Sequence, residues 1–293
     1  MALGRSTLVK AALGPLSALA VIGVVASGAV PAYQAYSVAL AAVYTVLAIS
    51  VGLLAGWSGV WSVGHPAFFA TGAYFAAYGS AHGWAFEVIV VAAVACCAAM
   101  GAFLGYAGAR FSVLYIALLT LAFGLVSLEV INRWTDVTGG DQGVPVGAMD
   151  SVLGLGTFAG GSETQYLAIG VAGVVLAAAV LARTTALRMR LVAAKSHPLV
   201  ARSVGIAPEA QTALSFAVSA GVAGLSGVLP AGITGFVSPD PFSLNLGVAV
   251  IAACVLGGVG SVAGAVVGGV YLAWAPALAG AVSLPQPVLQ ACC

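Results

Sequence analysis

Charge is scarce in this sequence: nine Lys and Arg and eight Asp and Glu among 293 residues, 6% of the chain. A soluble domain carries roughly 25% charged residues, so this chain is unable to cover a water-facing surface. With 62% hydrophobic residues and a mean hydropathy of +1.13, it reads as an integral membrane protein. A net charge of +1 gives no bulk attraction to nucleic acid, so no nucleic-acid partner is expected. Histidine is nearly absent, and His65, His82 and His197 lie far apart in sequence. No HExxH, GxSxG or paired-carboxylate pattern occurs, so no catalytic residue is expected and the chain reads as a non-enzyme. The five cysteines show no metal-ligand spacing. Cys96 and Cys97 read as small packing residues inside an apolar run, and the terminal Cys292 and Cys293 form no prenylation box. Neither a metal nor a cofactor is called for. The run Gly257-Gly258-Val259-Gly260-Ser261 lacks the Lys and hydroxyl of a phosphate loop, which excludes ATP hydrolysis by that route. Ionisable residues are almost missing from the apolar interiors, with Glu87 and Glu129 near predicted span ends. That argues against a proton-driven pump and suits a zwitterionic or uncharged solute.

What the chain does have is long apolar runs and 39 glycines. Arg5 and Lys10 precede an apolar stretch at 11–30. We read it as a retained first transmembrane helix with a cytoplasmic N-terminus, because it exceeds the ~7–15-residue core of a signal peptide. Further spans are expected at 37–55, 87–107, 111–131, 164–181, 211–229 (ended by Pro230), 246–256 and 262–279. The piece 67–80 is shorter than the ~20 residues needed to cross unaided. It reads as a partial helix buried in the bundle, beginning at Pro66. The total is about nine membrane segments. Gly52/Gly56, Gly101/Gly105 and Gly260/Gly264/Gly268 have the spacing that lets helices approach closely.

Residues 183–209 hold Arg183, Arg188, Arg190, Lys195 and Arg202 against the single acid Glu209. The loop that keeps its Lys and Arg is the cytoplasmic one, so this stretch sets the orientation. It also carries a helical pattern. Residues 186–196 lack Gly and Pro, and Leu187, Leu191 and Ala194 share a face. Pro198 restarts the helix, Leu199, Val200 and Val204 give a second short apolar face, and Gly205 can cap it. The loop 132–163, rich in glycine and acid and free of Lys, reads as an outer loop.

Four stretches carry a family resemblance. Residues 52–59 and 62–74, GLLAGWSG and SVGHPAFFATGAY, resemble "LLLGYAGQLSLGHAAFFGIGAY". Residues 120–124 and 132–144, TLAFG and NRWTDVTGGDQGV, resemble "TLAFGE…NWxxLTGGxxGI". Residues 201–206, ARSVGI, resemble "AARSLGI". Residues 236–243 and 255–264, FVSPDPFS and VLGGVGSVAG, resemble "GFISPxSF" and "VLGGLGSLWGP". These occur in the order found in the permease family of branched-chain amino acid ABC importers, specifically its LivM-like subunit. The resemblance implies an all-α polytopic membrane protein of about eight to ten transmembrane helices, a type II-like importer bundle in the cell's inner (plasma) membrane. It divides the chain into an N-terminal helix and outer turn (1–36), a transmembrane permease domain (37–280) with a coupling loop (183–210) and an outer loop (132–163), and a tail (281–293). It implies as partners a second permease subunit, two cytoplasmic ATP-binding subunits and an extracytoplasmic solute-binding protein, all working in the lipid bilayer. The coupling residues would be Arg188, Arg190, Lys195, His197, Arg202 and Gly205. Family members usually carry an acid near Pro198, where this chain has Lys195-Ser196-His197-Pro198. The path residues would be His65, Phe68, Tyr74, Thr120, Phe123, Asn132, Gly139 and Gly140. The solute would be a branched-chain amino acid or a related small polar molecule. The competing reading is a secondary transporter or channel for a small neutral or zwitterionic solute.

Overall fold

The computed structural model describes residues 16–17, 19–25, 31–111, 113–151, 157–158, 161–196 and 198–281. The expected first span falls largely outside them, though 19–25 are helical, and the tail beyond 281 lies outside them altogether. Besides the helical 19–25 stretch and a four-residue helix at Thr135–Thr138, ten helices organise the described chain: α1 (Ala32–Ser58), α2 (His65–Ala81), α3 (Phe86–Gly108), α4 (Val113–Arg133), α5 (Ser162–Ala182), α6 (Ala186–Ser196), α7 (Pro198–Ser203), α8 (Pro208–Thr234), α9 (Leu244–Gly257) and α10 (Val262–Ala281). Five of them, α1, α3, α4, α5 and α8, are long and apolar enough to cross a membrane. The protein is an all-α polytopic membrane protein. Its backbone polar groups are satisfied within helices, as hydrocarbon demands.

The centre is α8, packed along α3, α2 and α1, while α10 and α5 close on the other side of α1. Small residues make this possible. A Cβ on Gly72 of α2 would strike the Gly224 carbonyl of α8, and one on Gly227 would strike the Phe69 carbonyl. The two backbones therefore touch directly, and Cys97 of α3 packs against Gly224 beneath the crossing. On the other side of α1, Gly56 faces Gly260 at 3.3 Å from its ideal Cβ.

Two helices are half-length. The short piece after the Trp57–Trp61 break is α2, 17 residues and mostly buried, with Pro66 in its first turn. The second is α9, 14 residues, whose Gly247 packs against the Val63 carbonyl and Pro66 ring at the start of α2. Both thus begin inside the bundle. One expectation fails at α8. The span was to stop at Pro230, but the helix carries Pro230 within it and ends at Gly235, in the left-handed region at φ 67°. Proline removes one N–H, and tight packing on α2 holds the remaining turn in place.

The start of α2 is tied by a buried polar relay. Ser219 of α8 donates to the Ser50 carbonyl of α1 at 2.8 Å. That spends its only proton, so His65 Nε2, 2.7 Å from Ser219 Oγ, is the donor of the pair. All three residues are at most 1% exposed. Ser219→Ala would leave the imidazole N–H unpaired in an apolar interior. The expected loss is about 1–3 kcal/mol, seen as a lower melting temperature in detergent. An unchanged melt would show that the relay does not hold the helices.

At one end of the bundle lie α6 and α7. At the other lie four two-residue strands: β1 (Val144–Pro145), β2 (Met149–Asp150), β3 (Thr157–Phe158) and β4 (Phe236–Val237). β1 pairs antiparallel with β4, joining the loop after α4 to the end of α8, and β2 pairs with β3.

Candidate functional site: an apolar cavity and a basic helix pair

A cavity of about 630 Å³ lies between α2 and α4. Its walls follow from helical spacing. Thr71, Tyr74, Phe75 and Tyr78 recur at i, i+3, i+4, i+7 on α2, and Phe123, Val126, Ser127, Val130, Ile131 and Trp134 run down one side of α4 and its end. Trp84 and Met100 close the α3 side, with Val137 and Thr138 above. No Asp, Glu, Lys, Arg or His is among these residues. The aliphatic hydroxyls are turned onto their own backbones: Thr71 donates to the Ala67 carbonyl at 2.8 Å, Ser127 to the Phe123 carbonyl at 2.7 Å and Thr138 to the Ile131 carbonyl at 2.5 Å. The surface that remains is apolar and aromatic, and it suits an aliphatic group.

Of the eight expected path residues, Tyr74 and Phe123 line this cavity. Phe68 is fully buried behind Phe123, with ring centroids 5.1 Å apart, and His65 sits edge-on to Phe68 at 5.9 Å. Thr120 is also fully buried. Its carbonyl faces Gly64 so closely that a Cβ there would collide. These residues form the support of one wall. Gly139 and Gly140 lie above it, both at positive φ, in the turn that carries the chain from α4 towards β1. Asn132 is exposed at the end of α4. Trp134 and Ser127 line the cavity yet were not singled out from the sequence. The spacing along 123–134 was the signal available.

The basic end is built differently. Leu191 and Ala194 of α6 are buried against the bundle, as their shared face predicts. Leu199, Val200 and Val204 are 80%, 62% and 68% exposed, so α7 and the residue after it present an apolar tip to solvent. Gly205, at φ 77°, follows the tip, and the Ile206 N–H returns to the Ala201 carbonyl at 2.9 Å. Arg202 pairs with Glu209 at the start of α8. Lys195 lays its stem over Gly59, so closely that a Cβ there would strike it. Arg190 is exposed, Arg188 is half-buried, and His197 lies outside the described residues. The five expected coupling residues that the structure describes thus lie on α6, on α7 and in the turn after it, without all facing the same way.

The family model described as "Branched-chain amino acid transport system / permease component" matches residues 33–289. The high-affinity branched-chain amino acid transport system permease protein LivM of Salmonella typhimurium LT2 is 32% identical over 243 residues, covering 74% of this chain and 56% of that protein. The LivM protein of Escherichia coli K12 is 30% identical over 246 residues, covering 75% and 57%. The chain therefore spans a little over half the length of these curated relatives. No solved structure matches. A family match from one end of the described bundle to the other, on a membrane-spanning all-α fold, places this chain in the branched-chain amino acid transport permease family.

Proposed function

We propose that the chain is a membrane-spanning permease subunit of an ATP-binding cassette importer. It translocates a small solute with an aliphatic side chain, a branched-chain amino acid in the simplest case. Energy comes from two separate cytoplasmic ATP-binding subunits. A second permease subunit completes the path, and an extracytoplasmic binding protein delivers the solute. In this reading the basic end faces the cytoplasm of a cell whose inner membrane holds the bundle, and the N-terminus is cytoplasmic too.

The observation that carries the solute class is the 630 Å³ cavity walled by mainly aromatic and aliphatic side chains with no Asp, Glu, Lys, Arg or His among them. The printed name of the LivM relatives supports the same class. Coupling is supported by the apolar tip of α7. A folded, cation-flanked handle can be moved only by a partner that grips it differently in two states.

The test is uptake of labelled leucine by liposomes holding both permeases, the ATPases and the binding protein. ATP-dependent uptake is expected. Ser127→Trp, which places an indole in the cavity, should cut it at least about tenfold, ~1.4 kcal/mol, while the ATPases still co-purify. Uptake that proceeds at full rate without ATPases would overturn the reading in favour of a secondary transporter or channel.

A further inference from the structure

A second cavity, about 160 Å³, opens at the basic end, between the last turns of α1, the α5–α6 junction and the loop joining α9 to α10. Its floor is apolar, with Ile49, Leu53 and Val262. Its polar wall holds Arg183, Arg188 and Ser261. Arg183 Nη2 donates to the Gly260 carbonyl, which pins that guanidinium across the mouth. Neither arginine is in an ion pair among the described residues, where the only pairs are Arg133–Glu129 and Arg202–Glu209. Two like charges on one small cavity repel each other, and a shared anion relieves that repulsion through charge-assisted hydrogen bonds.

We propose that this inner cavity is a binding site for a short aliphatic carboxylate that carries no ammonium group. The carboxylate lies on Arg183 and Arg188, and the aliphatic end lies on the Ile49–Leu53 floor. Size fits: a cavity of about 150 Å³ accepts a benzene-sized apolar molecule. The missing ammonium follows from the lining. No Asp or Glu contributes to it, and Glu209, the acid of the 183–209 stretch, is held by Arg202. The ammonium of an amino acid would therefore meet two guanidiniums and no counter-charge. The cavity thus selects against the solute proposed for the larger one.

The experiment uses the full chain in nanodiscs of phosphatidylcholine, titrated calorimetrically with 4-methyl-2-oxopentanoate and, separately, with leucine. The two share a carbon skeleton and differ in a carbonyl against an ammonium. Saturable binding of the oxo acid is expected, with leucine at least about tenfold weaker. Arg183→Gln and Arg188→Gln should each weaken the oxo acid by at least about tenfold, and Arg110→Gln should not. Each variant is first checked for a wild-type melt, and should one arginine variant fail to fold the other decides. Absence of binding, equal affinity for leucine, or binding that survives the arginine substitutions would each overturn the proposal. So would loss of oxo-acid binding in nanodiscs containing phosphatidylglycerol, which would make a lipid phosphate the occupant. Binding here needs neither transport nor an ATPase, so failure leaves the permease reading standing.

Discussion

Gly227→Val is expected to yield no monodisperse protein on size exclusion in detergent. A Cβ at this position would meet the Phe69 carbonyl and, at 3.1 Å, the Ala73 amide nitrogen, both backbone atoms of α2. A flexible side chain would swing aside, but a helix backbone is unable to. The alternative is to part α8 from α2 along a contact lined by buried residues of both helices. Overpacking in an adaptable core costs about 1–3 kcal/mol, and a collision with backbone exceeds that range. Gly72→Val should fail for the reciprocal reason, since its obstacle is the Gly224 carbonyl. The control is Gly170→Ala on α5, where nothing lies within 4 Å of the added carbon. It should fold at least as well, gaining up to about 1 kcal/mol of helix propensity. A Gly227→Val protein that elutes and melts like wild type would refute the packing described above.

The second large effect is expected at α7. Leu199→Asp should reduce co-purification of the ATPases at least about tenfold, as removal of a central apolar anchor does in other interfaces. ATP-dependent uptake should fall with it, while the melting temperature of the permease stays near wild type, because Leu199 is 80% exposed and holds nothing in the isolated chain. The double reversal of Lys195 and Arg202 to Glu probes the same contact less cleanly. Lys195 is folded over Gly59 and Arg202 is committed to Glu209, so part of any loss would come from disturbed local structure. Normal ATPase binding by the Leu199→Asp protein would refute α7 as the grip.

Hydropathy made the spans legible, since each expected run from 37–55 onward has a helix over it. The burial of α2 was legible too, from a piece too short to cross and Pro66 at its start. Basic residues and apolar spacing revealed the helix pair at 186–203. The cavity between α2 and α4 was far less so. Its α4 wall is a run of ordinary apolar residues, and no sequence pattern distinguishes a side that faces a void from one that faces lipid. His65 and Thr120 were expected on the path from the family resemblance. Tertiary packing gives His65 to the relay with Ser219 and seats Thr120 against Gly64. The inner cavity was invisible for a different reason. It forms where Arg183 meets Gly260, residues 77 apart in the chain.

The lengths of the helices have a consequence for the surrounding bilayer. The two interior helices, α1 and α8, have 27 residues each, about 40 Å against a hydrocarbon core of ~30 Å. The helices on the periphery, α3, α4 and α5, have 23, 21 and 21, much nearer to that thickness. Acyl chains therefore meet a belt of matched height, while the surplus length is shielded within it. Sliding or tilting of the long pair need not deform the lipid annulus, so hydrophobic mismatch should place little load on such a stroke.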